Sequence, residues 1–113
     1  MTDKEMLEWA ARAAALEFSD GRQLNPRVFL VRPAGSASHD DWHGWNPLTD
    51  DADAFRLTVK LRMDICFGAN YVIVRGSVQM PTVNNANDPY AAARRAIVRA
   101  AAEIGKAIKE NKE

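Results

Sequence analysis

The chain reads as an α/β domain of the α+β type: a small, mainly antiparallel sheet of two to four strands packed in sandwich fashion with three helices, at about residues 3–18, 50–62 and 89–109. Three observations predict this. Helix-start signals occur at three separated points, each followed by apolar residues at helical spacing. Between them lie short β-branched and aromatic runs bounded by Gly, Pro and Asn. The 113 residues, 47 % hydrophobic and 27 % charged, suffice for one core and are too few for two, so residues 1–113 form a single domain.

The first helix opens on Thr2-Asp3-Lys4-Glu5, a capping box in which the Thr hydroxyl accepts from the N3 amide and Glu5 reaches back to the cap's own N–H. Met6, Leu7, Ala10, Ala14 and Phe18 recur at helical spacing, and Ser19-Asp20-Gly21 supplies the stop. Val28-Phe29-Leu30-Val31 reads as a short edge strand closed by Pro33. A long loop, 33–47, follows, and loops of that length in compact domains are functional or mobile.

Residues 55–67 carry two signals. Phe55, Leu57, Val59, Leu61, Met63, Ile65 and Phe67 alternate with polar residues in the strand period. Against that, Asp50, Asp51 and Asp53 mark a helix start, Ala54, Leu57, Leu61 and Ile65 share one helical face, and a thirteen-residue strand would far exceed the usual five or six. A helix at 50–62 followed by a strand at 63–67 reconciles the two. Gly68-Ala69-Asn70 then turns the chain into Tyr71–Arg75, a strand extending towards Met80, and Asn84–Asn87 reads as a loop. Asp88-Pro89 starts the last helix, whose stripe is Tyr90, Ala93, Ile97, Ala100, Ile104 and Ile108, with a frayed tail at 110–113.

Gly44-Trp45-Asn46-Pro47-Leu48-Thr49-Asp50-Asp51, the Ala54–Leu61 segment and Asp88-Pro89-Tyr90-Ala91-Ala92-Ala93-Arg94-Arg95-Ala96-Ile97 resemble a family of small phage and prophage proteins with an α-β-α sandwich domain. The resemblance covers residues 1–18 and 44–108. It implies a short helix after the Trp-Asn-Pro element, an antiparallel sheet, and a terminal helix crossing that sheet. It implies no catalytic residues, and the 19–43 segment departs from the family's compact pattern.

The net charge is zero but unevenly spread: residues 1–53 hold ten acids and five bases, residues 54–113 five acids and ten bases. Either the halves complement one another or a basic face meets an acidic partner. No apolar run reaches the ~20 residues that cross a bilayer, and the N-terminus lacks a signal-peptide pattern. The expectation is a cytoplasmic protein without a membrane partner. The single cysteine, Cys66, excludes an internal disulfide and a cysteine-based zinc site, and reads as a packing residue.

His39-Asp40-Asp41-Trp42-His43 is the densest collection of chemically capable side chains. On a helix the two histidines would share a face as metal ligands, but the surrounding Gly, Ser and Pro favour a loop, where that spacing has no meaning. Asp50, Asp51 and Asp53 lack the glycine and glutamate that complete a calcium loop. No nucleophile, oxyanion element or phosphate-cradling glycine loop stands out, so neither enzyme activity, a metal nor a cofactor is expected. Of Trp42 and Trp45, at least one should plug the start of the middle helix, and an exposed one would be a binding hot spot. Arg95, Arg99, Lys106 and Lys109 form a basic strip on the last helix, bordered by Glu103 and Glu110. It reads as a solvated or protein-binding face more readily than a nucleic-acid one.

The expected function is a non-enzymatic phage or prophage accessory protein that binds and modulates a host protein or protein complex, with an anti-defence (anti-CRISPR-like) inhibitor as one form. Asp40, Asp41, Trp42, His43, Arg95, Arg99 and Lys106 are the partner-binding candidates. Small sheets have open edges, so a homodimer is also expected. Two alternatives stay open: a small-molecule or metal-binding protein using His39, His43 and the aspartates, and a structural component of a virion.

Overall fold

The computed structural model describes residues 2–19, 29–36, 41–68, 71–75, 82–84 and 88–112. Three helices, α1 (Asp3–Ala13), α2 (Asp51–Leu61) and α3 (Pro89–Lys112), combine with strands β1 (Leu16–Ser19), β2 (Leu30–Pro33), β3 (His43–Gly44), β4 (Asp64–Phe67), β5 (Tyr71–Arg75) and β6 (Thr82–Asn84). The α+β class and the three helices follow the sequence reading. The strands form two antiparallel three-stranded sheets instead of one: sheet A in the order β1-β2-β3 and sheet B in the order β4-β5-β6. In the chain α2 lies between the last strand of sheet A and the first strand of sheet B.

The first helix is shorter than its composition suggests. It ends at Ala13, Ala15 takes the left-handed conformation (φ 59°), and Leu16 starts β1, so the expected helix to residue 18 is corrected to 3–13. An alanine-rich run has no local stop signal; pairing decides the outcome. Leu16, Glu17, Phe18 and Ser19 pair with Pro33, Arg32, Val31 and Leu30 of β2, and Ala34 N–H donates to the Ala15 carbonyl (3.0 Å). Tertiary pairing overrides helix propensity here. At the N-terminus, the Thr2 hydroxyl accepts from Glu5 N–H and donates to the Glu5 carboxylate, both at 3.2 Å.

β2 is a second correction: it spans Leu30–Pro33, two residues later than expected, and lies in the centre of sheet A, paired on both sides. The hairpin of β4 and β5 forms as read, with Ile65 opposite Val74 and Phe67 opposite Val72. β6 was not anticipated; Asn84, read as loop, pairs with Tyr71. The expected continuation of β5 to Met80 and the loop at 85–87 lie outside the described residues.

α3 is the spine of the domain, packed against α1, α2, β5 and β6. Its N-terminus is built as the sequence implies, with an Asp88 carboxylate oxygen accepting from the N–H groups of Tyr90 and Ala91 (3.0 Å each) and Pro89 in the first position. Where α3 crosses α1 the contact is made by small residues: Ala10, Ala11, Ala101 and Ala102 are fully buried, and Gly105 brings the backbones together beside Trp9. Val72 and Val74 of β5, fully buried, close the core from sheet B. Among the described residues, no helix is long and apolar enough to cross a membrane.

Candidate functional site

The turn that leads into α2 is a network of local hydrogen bonds. The Asn46 side chain accepts from Leu48 N–H (3.0 Å), its carbonyl accepts from the N–H groups of Thr49 and Asp50, and Asp50 caps the helix by accepting from Asp53 N–H (3.0 Å). Asp53 in turn accepts from Asn46 N–H (3.0 Å). Pro47 is fully buried, and Trp45, 7 % exposed, joins the core with its ring edge-on to Phe18. Arg94 of α3 clamps this turn by donating to the Leu48 carbonyl (2.9 Å) and pairing with Asp51 (2.6 Å). The aspartates after Pro47 are thus committed to structure, and the orientation of α2 is fixed.

Register determines where the stretch before this turn points. Directly opposed residues of an antiparallel pair share a face, and faces alternate along each strand. Leu16, Phe18, Val31, Pro33 and His43 therefore lie on one face of sheet A, and Glu17 and Arg32 on the other. Trp42 belongs to the second face: the Arg32 guanidinium lies 4.6 Å from the centre of its ring and also bonds Glu17 at 2.6 Å. That bond from Arg32 holds the Glu17 carboxyl below its ordinary pKa.

Two concavities flank β3 as a result. The first, of about 660 Å³, opens between sheet A and α2. Ala14, Leu16, Pro33, Trp45 and Leu57 give it an apolar floor, with His43 on the sheet A side and Asp53, Arg56 and Lys60 on the α2 side. The second, of about 740 Å³, lies where Trp42, Glu17 and Ser19 meet Lys4, Glu8 and Arg12 on α1. Half of its lining residues are charged, with Lys4 and Glu8 3.7 Å apart.

The sequence-derived candidates are thereby separated. Trp42 and His43 are consecutive yet serve different concavities. Asp41 accepts a hydrogen bond from the Ser36 hydroxyl, and its backbone carbonyl lies 3.1 Å from His43 Nδ1. His39 and Asp40 lie outside the described residues, among which no three His, Cys, Asp or Glu side chains gather in a metal-binding arrangement. The basic strip sits on α3, and two of its four cations are engaged by α1: Arg95 with Asp3 (3.3 Å) and Lys109 over the Trp9 ring (5.5 Å). Arg99 and Lys106 are exposed.

Arg56 and Lys60 are the site residues that sequence reasoning missed. Their i, i+4 spacing on a helix gave a signal, because such a pair projects from one face. What the spacing does not give is the opposing wall, which sheet A supplies. Compared with known proteins, the chain matches no protein-family model, no curated protein and no solved structure.

Proposed function

We propose that the chain is a non-enzymatic binding protein that engages a host protein or protein complex through the face of sheet A centred on Trp42. The observation that carries this reading is the division of labour between the two tryptophans. Trp45 is taken into the core, whereas Trp42 is left half-buried at the wall of a charged concavity and is held there by Arg32. Tryptophan and arginine are both among the residue types enriched at the positions that dominate protein interfaces. The phage or prophage setting, and an anti-defence role within it, rest on the sequence resemblance of the 44–51 and 88–97 segments. The exposed α3 cations Arg99 and Lys106 are a second point of contact for an extended partner.

The test is quantitative capture from bacterial host lysate with wild-type protein and Trp42→Ala as baits. Trp42→Ala is expected to keep the wild-type circular dichroism spectrum and to lose a discretely captured protein by roughly thirtyfold or more, as removal of a central anchor does. Undiminished capture by Trp42→Ala refutes the reading. Arg99→Glu with Lys106→Glu reports whether the partner reaches α3.

A further inference from the structure

The geometry points to a second binding function on the opposite face of β3: the cleft between sheet A and α2 takes a small organic anion, an apolar ring or chain bearing one carboxylate, phosphate or sulfonate. Its volume, about 660 Å³, falls within the range of small-molecule sites. Such sites pair an apolar body with a few convergent polar groups. Here the floor, with Trp45 and Leu57, is apolar, His43 stands on the sheet A side, and Asp53, Arg56 and Lys60 line the α2 wall.

The sign of the ligand follows from that wall. Asp53 is the one acid among the lining residues, and both its oxygens are occupied, one by Asn46 N–H (3.0 Å) and the other by Arg56 (3.2 Å). Lys60 forms no ion pair among the described residues, so its positive charge is left over. His43 adds a directional group. Its Nδ1 faces the Asp41 carbonyl, which can only accept, so Nδ1 carries the proton. Nε2 of the neutral ring is then an acceptor that takes a hydrogen bond from a donor group on a ligand, while the anionic group is attracted by Lys60. The elbow at 45–53 and the Arg94 clamp fix the angle of α2, so Lys60 is presented across the cleft from His43 without rearrangement.

A titration of isotopically labelled protein with 2-naphthoate, and in parallel with its uncharged analogue 2-naphthamide, followed by amide and indole NMR shifts, tests this. The carboxylate is expected to give saturable shifts at the Trp45 indole, His43 and Lys60, with the Trp42 indole unmoved. The amide should bind more weakly by roughly threefold to fivefold, the usual worth of one exposed charge pair. Lys60→Glu, an exposed change with no buried contact to lose, should weaken naphthoate by more than that and leave naphthamide unchanged. Absence of saturable shifts, equal affinity for the two compounds, indifference to Lys60→Glu, or shifts centred on Trp42 would each overturn the assignment. Because Trp42 plays no part in this site, the two binding readings stand or fall separately.

Discussion

Replacing Gly105 by alanine separates two physical effects of opposite sign. In an isolated helix the change favours folding by about 1 kcal/mol, because glycine in a helix interior gives up the most backbone freedom. In this domain the added Cβ would lie 2.9 Å from the Trp9 carbonyl carbon, closer still to its oxygen, and 3.3 Å from the Ala13 nitrogen. Carbon needs about 3.5 Å from such atoms, so α1 and α3 must part by more than half an ångström. Displacement on that scale forfeits roughly a quarter or more of each dispersion contact along the alanine seam. Overpacking costs about 1–3 kcal/mol, and the upper end applies because the obstacle is backbone and has no rotamer to yield. Net of the propensity gain, Gly105→Ala should destabilise by about 2 kcal/mol. With an unfolding entropy of about 2.1 cal/mol/K per residue, the melting temperature falls by roughly 8 °C. Thermal and urea unfolding followed by circular dichroism measure this directly. A variant as stable as wild type, or more stable, would refute the close crossing of α1 and α3.

Three further outcomes are expected. Arg94→Ala removes a charged donor from the Leu48 carbonyl and the partner of Asp51, and should cost about 2 kcal/mol in urea unfolding, whereas the exposed Arg99→Ala should cost less than about 0.5 kcal/mol. Ala15→Gly should raise the melting temperature, since Ala15 holds a left-handed conformation (φ 59°) that disfavours a residue bearing Cβ by about 1 kcal/mol. Glu17 has a folded pKa lowered by the hydrogen bond from Arg32, so its stabilising contribution is present above the ordinary glutamate range and is lost as the pH falls through the lowered value. The stability difference between wild type and Glu17→Gln should accordingly shrink on acidification from pH ~6 to below the glutamate range, as read by thermal unfolding at each pH.

Features written into adjacent residues were legible from sequence. The turn from Asn46 to Asp53 and the start of α3 at Asp88-Pro89 depend on side chains capping amides two or three positions away, and both form as read. The conflict over 55–67 was decided by the same local signal, the Asp50 cap. What could not be read was pairing across distance. Nothing near Ala13 announces that Leu16–Ser19 will leave the helix for a strand fourteen or so residues downstream, and nothing near Thr82 announces β6. The candidate site failed in the same manner. Asp41, Trp42 and His43 were singled out together for their chemistry, yet strand alternation sends Trp42 and His43 to opposite faces, and the cations facing His43 come from α2.

The seam between α1 and α3 also sets a timetable for folding. Asp3 and Arg95, ninety-two positions apart, meet across it, and Trp9 receives Lys109. During synthesis α1 emerges before α3, with Leu7, Ala10 and Ala11 facing a partner that has not yet been translated. Sheet A and the α2 elbow can assemble from contacts closer in sequence, but α1 has to wait for α3 to leave the ribosome. Contacts of such long sequence separation slow folding, so the nascent chain carries the α3-facing side of α1 uncovered until α3 has been made. Of the three helices, the one made earliest is the last to be secured.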